Sequence, residues 1–342
     1  MSNQSHGGTF GIELTPEAPS TQIAEWARLA ENSGFDTVFV SHHYNNRDEF
    51  ITLAEIARAT DEVQLGPGIT NPYETHPVTL ASRMATLDER ANGRGLFGVG
   101  PGDASTLSNL GFEQERPLRR VLETIRVVRR LWAGERVEHD GTFSVADAGL
   151  NYDARQLPIY VGAQGPHMTR MSAKYADGIL YNGSHPRDIA WARDRIEEGL
   201  AERIESHAFG EYPVRRENFD FAVYASVSVA EDETSAREAA RPPVAFIVAG
   251  APPPVLERHG LDQRRATRIG EHIAAGSFRD AFDLVTEPMI DAFAVAGTPA
   301  TVEERLEELL GYADSFVMGS PLGPDVETAI ELMGGLFPSN QA

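Results

Sequence analysis

Short apolar runs alternate with longer stretches in which apolar residues recur every three or four positions, and this beat persists from Thr9 to Leu336. Residues 9–14, 37–41, 63–65, 95–100, 157–162, 178–181, 219–229, 293–297 and 315–319 read as strands. The spacing predicts helices over 20–34, 50–59, 77–87, 118–132, 166–175, 186–206, 299–310 and 325–336, the first of them capped by Ser20. Residues 37–41 are nearly all apolar, as a strand covered on both faces of a parallel sheet must be. Strand followed by helix through the whole chain points to a closed (β/α)8 TIM barrel over an open doubly wound sheet. With nine strand candidates, one is an edge or does not belong to the barrel. The polar segment 134–155 carries a small hairpin around Asp140-Gly141, and 231–287 reads as a mostly helical insertion broken by Pro252-Pro253-Pro254. A single domain, residues 1–342, is expected.

One stretch organises the rest: Gly66-Pro67-Gly68-Ile69-Thr70-Asn71-Pro72-Tyr73, between the strand at 63–65 and the helix at 77–87. Its glycines and prolines leave almost no side chain between the main chain and whatever lies above it. Two readings stand here, a tight turn with no ligand or a platform for a flat one. The other strand ends tilt the balance. They carry Glu13, His42-His43-Tyr44-Asn45-Asn46, Gly100-Pro101-Gly102-Asp103, Gly162-Ala163-Gln164-Gly165-Pro166, Asn182-Gly183-Ser184 and Gly319-Ser320-Pro321. In such barrels the site is built at the carboxyl ends of the strands. Gly165-Pro166 opens a helix, so free amides there suit a phosphate.

Composition narrows the chemistry. The chain has no cysteine, which removes disulfides, thiolate nucleophiles and cysteine-bound metal clusters, so redox work requires a bound cofactor. A net charge of −21 argues against nucleic acid as a partner. Lys174 is the only lysine beside 51 acidic residues, an acid-rich surface like those of proteins from salt-loving cells. With no long apolar run and no signal-like amino end, a cytoplasmic location away from membranes is expected.

Glu13 follows a strand into an apolar mouth, where desolvation raises a carboxyl pKa; an ion pair with one of the arginines is the plainer alternative. Adjacent His42 and His43 alternate in direction on an extended chain, so one faces the cavity and the two do not share a metal. No metal site is expected. Gly93-Arg94-Gly95-Leu96-Phe97-Gly98 fits a dinucleotide fingerprint but precedes a strand, so it is rejected.

Together, Phe10-Gly11-Ile12-Glu13-Leu14, His43-Tyr44-Asn45-Asn46, the central stretch, Gly100-Pro101-Gly102-Asp103, Gly162-Ala163-Gln164-Gly165-Pro166, Val244-Ala245-Phe246-Ile247-Val248, Leu256-Glu257-Arg258-His259-Gly260 and Gly319-Ser320-Pro321-Leu322-Gly323-Pro324-Asp325 resemble the methylenetetrahydromethanopterin reductases, bacterial-luciferase-like barrels. The resemblance implies hydride transfer from reduced coenzyme F420, a deazaflavin, to the methylene group of a tetrahydropterin, either tetrahydromethanopterin or tetrahydrofolate. It implies a non-proline cis peptide at Gly68-Ile69 under the deazaflavin ring. It also implies cofactor contacts at His43, Gly68, Ile69, Thr70, Asn71, Gly102, Asp103, Gly162, Ala163, Gln164, Gly165, Asn182 and Ser184. Glu13 is the candidate acid for the pterin nitrogen. The family usually has Asp-His where this chain has His42-His43, which changes the charge either beside the cofactor or one layer behind it. A homodimer or homotetramer is implied as well. Within the fold, the alternatives are an F420-dependent alcohol or sugar-phosphate dehydrogenase, an FMN-dependent monooxygenase, or a non-catalytic deazaflavin-binding barrel.

Overall fold

The computed structural model describes residues 9–203 and 216–337. In chain order the first half runs β1 (Phe10–Leu14), α1 (Ser20–Asn32), β2 (Thr37–Val40), α2 (Glu49–Ala59), β3 (Gln64–Pro67), α3 (Pro77–Arg90), β4 (Phe97–Val99), α4 (Ala104–Asn109) and α5 (Pro117–Trp132). A hairpin, β5 (Val137–Asp140) and β6 (Ser144–Ala148), precedes β7 (Ile159–Ala163), α6 (Pro166–Tyr175), β8 (Gly178–Asn182) and α7 (Pro186–Ala201). The second half continues with β9 (Asp220–Val229), α8 (Glu233–Gly250), α9 (Pro253–Arg258), α10 (Gln263–Ala274), α11 (Phe278–Asp283) and α12 (Glu287–Phe293). It ends with β10 (Val295–Gly297), α13 (Pro299–Leu310), β11 (Ser315–Leu322) and α14 (Val326–Gly334).

Eight strands lie side by side in the order β3, β2, β1, β11, β9, β8, β7, β4. Every pairing among them is parallel. Bridges Leu65↔Gly95 and Thr70↔Val99 join β3 to β4 and bring the two ends of the sheet together. The result is the expected TIM barrel. The surplus strand is β10, which pairs only with the far end of β9, at Val227–Val229.

Glycine makes the closing seam. A Cβ on Gly66 would stand 1.7 Å from the Leu96 carbonyl oxygen, and one on Gly98 would stand 2.0 Å from that of Pro67. Only bare backbone permits β3 and β4 to come so close.

The main apolar core lies between the strands and the surrounding helices, including Ile12, Val38, Leu65, Phe97, Ile125 and Ile159. A small cluster fills the inside of the barrel: Phe39, Leu96, Leu180, Ala222 and Val317, with Ile69, Tyr160 and Tyr224 packed on it. The helices α8 to α12 build their own core around Val244, Val248, Ile269 and Ile290.

Several local expectations change. β3 does not end at Leu65 but runs on through Gly66 and Pro67, because pairing with Phe39 and Val40 of β2 continues that far. The stretch after Gly102, read as loop, contains α4, started by the Asp103 carboxylate accepting from the Thr106 amide at 2.8 Å. Ser20 lies inside α1 and Pro19 occupies the cap. α7 ends at Ala201, and the last part of the helix expected to reach Ser206 lies outside the described residues.

Candidate active site

A cavity of about 540 Å³ opens at the carboxyl ends of β2, β3, β4, β7, β8 and β9, a size suited to a cofactor. From the end of β3 come Gly68, Ile69 and Asn71. The loop after β4 adds Gly102 and Asp103, and the one after β7 adds Gly162, Ala163, Gln164 and Gly165. β8 contributes Asn182, and the segment after β2 both His42 and His43. Both histidines line the cavity where one was expected, because they lie past the end of β2 at Val40, where sheet pairing no longer fixes which way a side chain points.

The Gly68–Ile69 peptide is cis. Gly68 packs directly on the Phe39 side chain, where an added Cβ would meet Phe39 Cβ at 2.7 Å, so only a glycine fits there. Gly100 and Gly162 make room for the Ile69 side chain, since a Cβ on either would stand 2.6 Å and 3.2 Å from it. Gly102 has φ +71, which a glycine adopts without steric cost, and Gln114 holds that loop by donating to the Pro101 and Gly102 carbonyls at 3.0 and 2.9 Å. Burial pushes the Asp103 carboxyl up, but hydrogen bonds from Ser105 and Thr106 outweigh it and hold the group below the usual carboxylate range.

On the opposite side, α6 begins at Pro166 with no side chain capping it. Its first internal bond runs from the Thr169 amide to the Gly165 carbonyl, so the preceding amides face outward, as at other anion-binding helix starts. The Ser41 hydroxyl is buried at the cavity edge and has no partner among the described residues.

Three expected site residues stand behind the wall. Thr70 is buried and donates to Glu49 at 3.2 Å. Ser184 is buried and accepts from the Ser226 amide at 3.1 Å. Glu13 is 4% exposed, with one carboxylate oxygen accepting from the Thr15 hydroxyl at 2.9 Å and the other from the Ser320 amide at 3.0 Å. No arginine pairs with it among the described residues.

Sequence reasoning passed over Tyr224, Glu74 and Leu180, which also line the cavity. Tyr224 donates to the Gly68 carbonyl at 3.3 Å. Burial, then the charge and hydrogen bond of Glu13, push its hydroxyl well above the ordinary tyrosine range, so it stays protonated. The available signal was an aromatic with a polar tip in the middle of β9, a residue type that seeks a partner when buried.

His42 is held between two carboxylates. Its Nδ1 lies 2.9 Å from Glu49 and its Nε2 3.0 Å from Glu74. Burial acts downward on its pKa, but the hydrogen bonds and charges of the two glutamates prevail and raise it to about 9. Glu74 also accepts from Asn71 Nδ2 at 2.7 Å, while Asn71 Oδ1 accepts from the Tyr73 and Glu74 amides at 3.0 Å. Arg120 closes the loop from outside, donating to the Pro72 carbonyl at 2.9 Å and lying 4.5 Å over the Tyr73 ring. Among the described residues no cluster of His, Asp or Glu could hold a metal ion, and no helix is long and apolar enough to cross a membrane.

A family model described as luciferase-like monooxygenase matches residues 5–315. The chain is 41% identical over 331 residues to the 5,10-methylenetetrahydromethanopterin reductase of Archaeoglobus fulgidus, covering 95% of this chain and 97% of that one. The chain belongs to the luciferase-like family, among its methylenetetrahydromethanopterin reductases. The solved structure of the coenzyme F420-dependent tetrahydromethanopterin reductase of Methanopyrus kandleri superposes with a TM-score of 0.86 at 39% identity, covering 96% of this chain and 97% of that one. An F420-dependent secondary alcohol dehydrogenase shares the fold at 20% identity with a TM-score of 0.77, covering 98% of this chain and 99% of that one.

Proposed function

We infer that this protein reduces 5,10-methylenetetrahydromethanopterin to the 5-methyl form with reduced coenzyme F420. The observation that carries the reading is identity of 41% along 95% of the chain with a reductase of that name. The cavity fits a deazaflavin nucleotide in three respects: Gly68 and Ile69 in its wall for a flat ring, a buried Ser41 hydroxyl with no partner among the described residues, and uncapped amides at the start of α6.

When bound, the coenzyme supplies the hydride. The protein's share is to hold donor and acceptor in contact and to manage one proton. Gly68, Ile69, Asn71, Gly102 and Asp103 form one face of the coenzyme's bed, with Thr70 bracing it from behind. Gly162, Ala163, Gln164, Gly165 and Asn182 take the phosphate-bearing tail, and Ser184 anchors that strand end. His43 stands at the rim. Glu13, once protonated, is the source of the proton for the pterin nitrogen and passes it through the hydroxyl of Tyr224, which lines the cavity. The chain acts as one barrel domain with its helical insertion at 231–287, working on a small molecule as a dimer or tetramer in the cytoplasm.

The test is anaerobic oxidation of reduced F420, followed by absorbance, with methylenetetrahydromethanopterin and methylenetetrahydrofolate as paired substrates. Oxidation that requires the methanopterin form supports the reading. Oxidation with the folate form alone reassigns the carrier, and silence with both despite coenzyme binding moves the substrate to an alcohol or sugar phosphate.

A further inference from the structure

Both ring nitrogens of His42 face carboxylate oxygens, Glu49 at 2.9 Å and Glu74 at 3.0 Å. A neutral imidazole has one N–H, so with both glutamates ionised the two bonds exist together only when the ring is an imidazolium. Each glutamate passes the connection on. Glu49, the first residue of α2 and 3% exposed, accepts from Thr70 through its other oxygen at 3.2 Å. Glu74 accepts from Asn71 at 2.7 Å through the same oxygen that meets His42. The result is a chain of side chains from Thr70 through Glu49, His42 and Glu74 to Asn71. Its two ends are the residues that follow the Gly68–Ile69 platform.

We propose that His42, as a cation, is a positioning residue that ties α2 to the loop at 68–74 and fixes that loop for the coenzyme. The inference rests on the coenzyme reading above. Remove the charge and two carboxylates, one of them buried, lose the donor between them. Leaving such a group unpaired is costly, and the loop is the part free to move. Glu49 from α2 and Glu74 from the loop are the charged groups acting on His42, and His43 is the titratable neighbour on its own segment. The two glutamates keep the ring protonated to about pH 9, so the tie holds at neutral pH and opens in alkali.

Two measurements on the full chain test this. The first is NMR titration of histidine labelled at Cε1, in the wild type and in the Glu49→Gln, Glu74→Gln double variant. The second is the dissociation constant of oxidised F420, read by fluorescence from pH 6.5 to 10, in the wild type and in His42→Gln. The His42 resonance titrates near pH 9 and drops by about two units in the double variant. Wild-type affinity weakens about tenfold across that transition, whereas His42→Gln is weak already at pH 7 and lacks the transition. The comparison with the variant removes the coenzyme's own titration. A His42 resonance titrating below pH 7.5, or the same pH profile of binding in His42→Gln, overturns the proposal. Coenzyme binding with this profile but no pterin-dependent turnover would sink the reaction assignment and leave the His42 role standing.

Discussion

On the β2–β3 side, the cavity wall is a lattice of charged and polar side chains: His42 between Glu49 and Glu74, with Thr70 and Asn71 at its ends. On the β7–β8 side it is mostly main chain, Gly162 to Gly165 and the uncapped start of α6, with Gln164 donating to the Asn182 carbonyl at 3.3 Å. The first wall is specified by ionisation and can be detuned by pH. The second is specified by the absence of side chains and can be detuned by adding one. A cofactor with an aromatic ring and a phosphorylated tail calls for both: a shaped, braced support at one end and open amides at the other.

The comparison can be broken in graded steps. The largest effect belongs to neither wall but to Glu13, the proposed proton donor behind Tyr224. Glu13→Gln lowers turnover by about two decades or more with coenzyme binding nearly unchanged, read by anaerobic steady-state rates beside fluorescence titration; an unimpaired rate removes Glu13 from the role.

Next comes the floor between the walls. Gly100→Val drives a side chain into Ile69, which a Cβ would already approach to 2.6 Å, and overpacking of this kind costs about 1–3 kcal/mol of stability. Denaturant unfolding should register that loss together with weakened F420 binding. Unchanged values for both would mean that Ile69 is free to move aside.

The third step separates the walls by pH. His42 is raised in the folded chain from 6.5 to about 9, so its contribution to stability is complete below pH 6.5 and disappears as pH climbs through 9. After discounting for partial exposure, the loss is roughly 2 kcal/mol. Thermal unfolding of the wild type should weaken over that window, relative to a flatter His42→Gln.

The smallest step acts on the backbone wall. A Cβ at Gly165 meets nothing within 4 Å and its φ of −81 suits any residue, so Gly165→Ala changes stability by less than about 0.5 kcal/mol. Any loss of affinity in that variant therefore reports contact with the coenzyme tail and not a folding defect.

How much of this was legible beforehand follows the same divide. Backbone features are local and read well. The apolar run at Thr37–Val40, the Gly-Pro-Gly turn and the glycine-rich end of β7 announced a parallel barrel with a glycine-rich carboxyl-end rim, and one surplus strand was expected, though which one was not; it is β10. Side-chain features that depend on register did not read. Nothing near His42 in the sequence shows that Glu74, thirty-two positions on, comes within 3.0 Å of it. That contact requires β2 and β3 to pair as Val40↔Pro67 and the following loop to fold back. Tyr224 was hidden because one-residue alternation along β9 decides which side chains face inward, and a strand buried on both faces does not reveal that parity. The six-residue α4 was too short for periodicity and was marked only by its Asp103 cap.

A crystal structure of the full chain with oxidised F420 tests the central claim most directly. The account predicts the deazaflavin ring against Gly68 and Ile69, with its phosphate accepting from main-chain amides between Gly162 and the start of α6. A ring bound elsewhere in the cavity, or a phosphate held by the His42 side instead, would contradict it.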